Sequence, residues 1–154
     1  MQLDSYDNHI LRALQRDASV SMEALAERVH LSRNAAWRRV KLLEEAGVIT
    51  GRVVVADAGK LGVPLMAVVL IRAGAHGPGW AEEFSKAAKA LPQIVSAYRM
   101  TGDLDYLLRV RVADMAGYDR FYKELTARVD ISDVSASFVM EEIVETTAVP
   151  VGEL

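Results

Sequence analysis

Positive charge is concentrated in one short stretch of the sequence. Five Lys or Arg residues and no Asp or Glu lie from Arg28 to Lys41, although the whole chain carries a formal net charge of −3. Cations without acidic neighbours attract phosphate, and the second helix of a helix-turn-helix presents such cations to the major groove of DNA. The predicted chemistry of this stretch is therefore the binding of a polyanion, with double-stranded DNA as the partner.

The candidate DNA-binding side chains belong to the second helix of this motif. They are Ser32, Arg33, Asn34, Arg38 and Lys41. Asn can pair bidentately with adenine and Arg with guanine, and a Ser at a helix N-terminus can help to hold a phosphate. For Arg39 an internal ion pair with Glu44 or Asp7 is the alternative to DNA contact. Trp37 is expected to pack against the first helix, and His30 to be a turn residue.

A second candidate site is the segment from Tyr98 to Tyr106, in which Gly and two carboxylates separate two strand signals. Gly and Asp tolerate the backbone angles of tight turns, so a plain turn is one interpretation. The other is a small-ligand site, in which backbone amides near Gly102 hold a carboxylate and Asp103 or Asp105 binds an ammonium group. Such a site would recognise an α-amino acid. Two residues on the last strand are expected to complete it across a dimer interface: Ser135 and Ser137.

Helical periodicity predicts three helices in the first sixty residues. The expected N-caps are Asp4, Ser21 and Ser32. Gly47 suits the left-handed position that follows a helix. Short strands predicted at residues 48–49 and 52–55 would form a wing, and residues 57–62 are typical of a linker.

The second half predicts strands and helices in the order β-α-β-β-α-β. The predicted elements are residues 65–72, 80–91, 94–100, 106–112, 116–129 and 134–144, with a loop at residues 74–79. This order is the ferredoxin-like unit, an antiparallel sheet with helices on one face. The other face carries Val68, Leu70, Leu107 and Val139. A second copy of the same sheet is its simplest cover, so we expect a homodimer.

Composition and motifs argue against several other classes of protein. The chain has no Cys, which excludes disulfides and thiolate metal sites and fits the reducing cytoplasm, where we expect it. His9, His30 and His76 lack metal-ligand spacing, and no nucleophile-elbow, phosphate-loop or dinucleotide motif occurs. The longest apolar run, residues 63–71, is too short to span a membrane. We predict no catalytic site, cofactor, metal or membrane partner.

Several spaced motifs resemble the Lrp/AsnC (feast/famine) family of transcriptional regulators, over about residues 2 to 150. The motifs are LDSYDNHIL at residues 3–11, RVKLLEEAGVI at residues 39–49, KLG at residues 60–62 and TGDLDY at residues 101–106. The resemblance implies an α+β protein with two domains. A winged helix-turn-helix DNA-binding domain would span residues 1–62. A ferredoxin-like αβ-sandwich, called RAM, would span residues 63–154, dimerise, and often assemble into tetramers or octamers.

The resemblance also assigns residues to two sites by position. The DNA surface would comprise Ser32, Arg33, Asn34, Arg38, Arg39 and Lys41. An amino-acid effector would bind between dimers, at Met100, Thr101, Gly102, Asp103 and Asp105. His30 stands where the family usually has Gly, and residues 33–36 differ from the commoner Ser/Thr/Pro-rich start of the recognition helix, so the family gives no operator sequence for this chain.

Two other functions are alternatives to this one. The first is a small-molecule sensor or assembly module whose N-terminal domain binds protein. The second is an enzyme of ferredoxin-like fold, for which the sequence offers no paired nucleophile and base. The unopposed charge from Arg28 to Lys41 favours DNA binding. The sequence therefore predicts a sequence-specific transcriptional regulator whose DNA binding or assembly responds to a small effector, an amino acid.

Overall fold

The computed structural model describes residues 2–74 and 77–152, which form two compact units. Unit 1 contains the described residues up to Val54 and from Val144 onward, and unit 2 is Val55–Ile143. Ala75 and His76, in the predicted loop at residues 74–79, lie outside the described residues. Within residues 2–74 and 77–152, every helix is too short or too polar to span a membrane.

Three helices make up the regular structure of unit 1 within these ranges. They are α1 (Ser5–Arg16), α2 (Met22–Arg28) and α3 (Arg33–Glu45). Each predicted N-cap is confirmed, because the side chains of Asp4, Ser21 and Ser32 accept hydrogen bonds from backbone N–H groups of the following turn. His30, between α2 and α3, and Gly47, after α3, have left-handed φ values of 54° and 69°. The tight turns at both ends of α3 thus have the geometry that the motif requires.

The helices of unit 1 enclose a small apolar core. Its buried members are Ile10, Leu11, Leu25, Val29, Val40 and Leu43. The predicted stripe of α3 is confirmed, because Ala36, Val40 and Leu43 are all buried. The prediction that Trp37 packs against α1 is wrong, since its side chain is 51% exposed. Arg39, which contacts α1, lies two residues further on, about 200° around the helix from Trp37.

Arg39 joins α3 to the start of α1. Its Nη1 donates hydrogen bonds to Asp4 Oδ2 and Asp7 Oδ1, both at 2.8 Å. The Asp7 backbone N–H donates to Asp4 Oδ1 at 2.9 Å, and the Asp4 N–H donates to Asp7 Oδ2 at 3.2 Å. Among the described residues, Asp7 is the one charged or polar residue that is buried. Of the two partners that the sequence left open for Arg39, the structure selects Asp7.

The chain's C-terminal segment packs on α1. The Gln15 side chain donates to the Val149 carbonyl at 3.0 Å and accepts from the Val149 N–H at 2.6 Å. Arg12 Nη2 donates to the Val151 carbonyl at 2.7 Å, and the Val151 side chain packs against the core of unit 1. Residues 144–152, which the sequence assigned to the second domain, therefore belong to unit 1 in the structure, while a functional boundary between residues 62 and 63 stays a prediction.

The two short strands predicted for a wing are not formed among the described residues. Residues 48–49 continue the turn after α3, and residues 52–55 form no strand. Val53, Val54 and Val55 are 74%, 94% and 82% exposed. Their β-branched side chains favour extended backbone, but a strand also needs a hydrogen-bonded neighbour, which no described residue supplies here.

Unit 2 is an antiparallel sheet with two helices on one face. Its elements are β1 (Leu65–Ala73), α4 (Pro78–Ala90), β2 (Ile94–Arg99), β3 (Tyr106–Val112), α5 (Met115–Arg128) and β4 (Ile131–Phe138). The strands are ordered β2-β3-β1-β4, and every neighbouring pair is antiparallel. The predicted ferredoxin-like unit is confirmed.

The last strand was predicted too late in the sequence, at residues 134–144. It begins at Ile131, which pairs with Ala73, and ends at Phe138, which pairs with Ala67. The Val139 N–H still donates to the Met66 carbonyl, close to where β1 begins at Leu65. The apolar residues after Val139 therefore have no neighbouring strand left to pair with.

The two faces of the sheet differ as the alternation of its residues predicts. Side chains on one face, such as Ala67, Val69 and Ile71, are fully buried beneath α4 and α5. On the other face Val68 and Leu70 are only half-buried, as are Leu107 and Val139. This second face, called the open face below, has no helix over it in unit 2. The homodimer that would cover it stays a prediction.

Gly47→Ala is expected to lower the free energy of unfolding of unit 1 by about 1 kcal/mol, because a Cβ is crowded in left-handed backbone. Gly51→Ala is the matched control. A Cβ built at either glycine meets nothing within 4 Å, and only Gly47 of the two has a positive φ. Urea unfolding followed by far-UV circular dichroism measures both variants. Equal unfolding midpoints for Gly47→Ala and Gly51→Ala would contradict a special role for the left-handed backbone at Gly47.

Arg39→Met is expected to destabilise unit 1 by roughly 2 kcal/mol, because the buried Asp7 carboxylate loses a charged hydrogen-bond donor. The Asp7 side chain is 6% exposed and that of Arg39 is 29% exposed. Arg38→Met is the control, one residue away but on the exposed side of α3, with an expected change within about 0.5 kcal/mol. The same denaturation experiment compares them, and a wild-type midpoint for Arg39→Met would refute the bracing role.

Candidate nucleic-acid interface and effector site

The exposed side of α3 carries most of the predicted DNA-binding residues. Asn34, Arg38 and Lys41 follow one another at i, i+4 and i+7 and are all exposed. This spacing puts them on one side of the helix, opposite the buried stripe. Ser32 is exposed at the N-cap, where its Oγ accepts the Ala35 N–H at 3.2 Å and its hydroxyl can still donate. The structure therefore brings polar base-reading and phosphate-binding groups to one surface.

Two of the cations on this surface make ion pairs that solvent can reach. Arg33 pairs with Glu23 of α2, with side chains 63% and 65% exposed. Lys41 Nζ lies 2.8 Å from Glu44 Oε2, and this contact is the main cause of the lowered pKa of Glu44. Exposed pairs contribute little stability, so a phosphate can replace either carboxylate at small cost.

Arg38 and Arg39 have opposite environments although they are neighbours in sequence. Arg38 is exposed and has no ion-pair partner in the part of unit 1 that the structure describes. Arg39 contacts two carboxylates, and its hydrogen bond with Asp7 is the main reason that its pKa is raised. Its guanidinium carbon also lies 5.2 Å from the centre of the Tyr6 ring. Arg38 is thus available to a phosphate, whereas Arg39 holds α3 against α1.

The connection between β2 and β3 forms the second candidate site. Gly102 has a φ of 110°, which favours glycine, and a Cβ built there meets nothing within 4 Å. The Met100 N–H donates to the Asp105 carbonyl at 2.8 Å and closes the connection. Thr101, Gly102 and Asp103 between them are exposed. One tight turn therefore presents an exposed carboxylate beside open backbone.

Asp105 has a different position from Asp103. Its Oδ2 accepts the Ala73 N–H at 2.8 Å, and its own N–H donates to the Ile71 carbonyl at 2.9 Å. Both bonds attach the connection to the end of β1. Asp105 therefore orients the turn through backbone contacts, which leaves Asp103 as the exposed carboxylate of the pair. The sequence could not separate these roles, because the partners of Asp105 lie more than thirty residues earlier.

The two predicted serines lie on β4, away from this turn. Ser135 and Ser137 are exposed and pair with Leu70 and Val68, which places them on the open face. Since β1 lies between β4 and β3, the serines are two strands from β3, roughly 10 Å at ordinary strand spacing. Within one chain the structure does not bring them to the turn.

A groove that the sequence did not indicate lies between α4 and the edge strand β2. Its volume is about 540 Å³, and Phe84, Leu91, Tyr98 and Arg99 are among its lining residues. Arg99 ends β2 and is followed directly by Met100, so the groove reaches the start of the β2–β3 connection. The groove could not be predicted from the sequence, because it depends on how α4 packs on the edge strand β2.

Two family models match the chain, one in each half. A model described as a winged helix-turn-helix DNA-binding domain matches residues 3–50. A model described as the Lrp/AsnC ligand binding domain matches residues 66–149. The first range contains α1 to α3, and the second contains the sheet of unit 2 and the β2–β3 connection.

Relatives match the chain over nearly its whole length. The glutamate uptake regulatory protein of Zymomonas mobilis is 43% identical over 152 residues, which are 99% of this chain and 93% of that protein. The DNA-binding transcriptional activator DecR of Escherichia coli is 43% identical over 150 residues, or 97% of this chain and 99% of that protein. Both are named as regulators and neither as an enzyme.

Solved structures agree with these relatives. An AsnC family transcriptional regulator from Agrobacterium tumefaciens matches with a TM-score of 0.93 and 44% identity, covering 96% of this chain and 97% of its own. A Neisseria meningitidis transcriptional regulator in complex with L-Met matches with a TM-score of 0.92 and 30% identity, covering 97% of both chains. The resemblance is confirmed: this chain belongs to the Lrp/AsnC family of DNA-binding transcriptional regulators.

Proposed function

We propose that this regulator binds a specific DNA sequence through the exposed side of α3 and that an amino acid bound in unit 2 changes its DNA affinity or assembly. The observation that supports the first half most directly is the sorting of charge on α3. Arg39 is neutralised by Asp4 and Asp7, whereas Arg38 is exposed and Arg33 and Lys41 make ion pairs that solvent can reach. Arg33, Arg38 and Lys41 are not needed to hold unit 1 together, so they can bind DNA phosphates.

In this proposal the residues of α3 divide into those that read bases and those that bind the backbone. Asn34 pairs with an adenine edge and Arg33 with a guanine edge after leaving Glu23. Ser32, Arg38 and Lys41 bind phosphates and fix the register of the helix. Arg39, the sixth member of the predicted set, acts by holding α3 in place.

The proposed effector is an α-amino acid, bound at the turn formed by Met100, Thr101, Gly102 and Asp103. The carboxylate of Asp103 takes the ammonium group, and backbone amides near Gly102 take the carboxylate. Asp105 keeps the turn in place through Ala73 and Ile71. Support comes from the Neisseria meningitidis relative, which is titled as a complex with L-Met.

The proposed assembly begins with a homodimer in the cytoplasm, in which two copies cover each other's open face. Half-buried Val68, Leu70 and Leu107 are the contacts that a second sheet would bury. Ser135 and Ser137 lie on the same face, where they reach the effector site only from another copy. A dimer presents two α3 helices, so the operator would contain two half-sites separated by whole helical turns, and further assembly into tetramers or octamers extends this array.

Arg38→Ala and Lys41→Ala are each expected to weaken DNA binding on every sequence tested and to flatten its salt dependence. The slope of log affinity against log salt concentration should fall by about 1 for each phosphate contact removed. The DNA is selected from genomic fragments by the wild-type protein, and affinity is measured by fluorescence anisotropy over a salt series.

Lys86→Ala is the control for this series, because Lys86 is an exposed Lys on α4 in unit 2. It should keep the wild-type affinity and slope. If the α3 variants also keep both, phosphate binding by this side of α3 is refuted.

Asp103→Asn is expected to abolish the rise in melting temperature that the effector amino acid gives the wild-type protein. The reason is that a neutral amide does not attract the ammonium group of the amino acid. The fold should be unchanged, because Asp103 is exposed. Thermal denaturation with each of the common amino acids identifies the effector and tests the variant. Asp119→Asn, at an exposed position of α5, is the control and should retain the full rise. An undiminished rise in Asp103→Asn would exclude this residue from the site.

A further inference from the structure

Trp37 is a large aromatic residue that lies outside the apolar core of unit 1 and is about half exposed. It is 51% exposed, whereas Trp80, the other Trp of the chain, is 8% exposed in the core of unit 2. Trp37 is absent from the apolar cluster of unit 1 and from the partly buried residues packed around it. Keeping so large an apolar group in water is unfavourable unless a partner covers it.

The position of Trp37 on α3 shows which partner it would meet. It lies three residues after Asn34 and four before Lys41, so the three side chains share one side of the helix, one turn apart. Arg39, two residues later, points the other way and contacts α1. A ligand that binds both Asn34 and Lys41 therefore lies beside the indole ring of Trp37.

The geometry points to Trp37 as a sequence-determining DNA contact, with its indole packed on the 5-methyl group of a thymine in the major groove. This inference rests on the proposed function, in which the same side of α3 binds DNA. The thymine methyl is the one apolar group that the major groove displays, and apolar side chains read it by contact. Because the indole is uncharged, its contribution should not depend on salt, unlike those of Arg38 and Lys41.

The first test compares Trp37→Ala with wild type on the selected operator and on the same operator with each thymine in turn replaced by deoxyuridine. Wild type should lose roughly tenfold in affinity when the contacted methyl group is removed. Trp37→Ala should lose a similar factor in affinity on the unmodified operator. It should lose no further affinity when deoxyuridine replaces the contacted thymine, and the slope of its affinity against salt should equal that of wild type. Its melting temperature should be that of wild type, because the side chain is outside the core.

Tyr122→Ala is the matched control, since Tyr122 is an aromatic residue 39% exposed on α5. It should keep both the affinity and the sensitivity to deoxyuridine. The inference is overturned if Trp37→Ala binds the operator as wild type does, or if it still loses affinity with deoxyuridine at every position where wild type does. If wild type itself shows no salt-dependent DNA binding, the proposed function fails instead.

A second test uses the fluorescence of Trp37 in a Trp80→Phe protein, where it is the only Trp. Phenylalanine at position 80 can keep the stacking on Phe84, whose ring centre lies 5.1 Å from that of Trp80. The emission of Trp37 should change when operator DNA is added and stay constant when the protein is diluted without DNA. A change on dilution alone would show that a second copy of the chain covers Trp37, and would overturn its assignment to DNA.

Discussion

The burial of one carboxylate constrains the whole of unit 1. Asp7 is buried in the first turn of α1, and a buried charge needs a charged or hydrogen-bonded partner in a fixed position. Arg39 supplies it from α3, and Asp4 completes the contact while capping α1. One network thus sets where α1 begins and how α3 lies against it. The direction in which α3 faces the solvent follows from this packing.

The packing of each unit leaves one surface uncovered: the exposed side of α3 in unit 1 and the open face of the sheet in unit 2. In α3 the buried stripe and Arg39 use two sides, so the remaining side, with Asn34, Arg38 and Lys41, stays available to DNA. In unit 2 both helices cover the same face of the sheet, so Val68 and Leu70 on the open face are left half-buried. The first surface is polar and cationic and suits a polyanion. The second combines half-buried apolar side chains with polar ones such as Ser135 and Ser137, and its apolar part suits another copy of the sheet.

Much of the fold could be predicted because its signals are local. A cap such as Ser32 and a left-handed residue such as Gly47 act within one turn, and the alternation of residues within each strand fixes which face is buried. Features that depend on distant residues were missed. Trp37 was placed on the wrong side of α3, because the flank of the buried stripe that faces α1 is shown only by contacts between distant residues, such as Arg39 with Asp7. The anchoring role of Asp105 and the packing of residues 144–152 on α1 likewise depend on partners far away in sequence.

The proposed coupling, in which DNA and an amino acid bind one protein and alter each other's affinity, has a direct test in thermodynamic linkage. After the operator and the amino acid have been identified, the affinity for DNA is measured with and without the amino acid. The affinity for the amino acid is then measured with and without DNA. Thermodynamic reciprocity requires both ratios to be the same factor, and we expect a common factor clearly different from one. Tight binding of both ligands with each affinity unchanged by the other would contradict it.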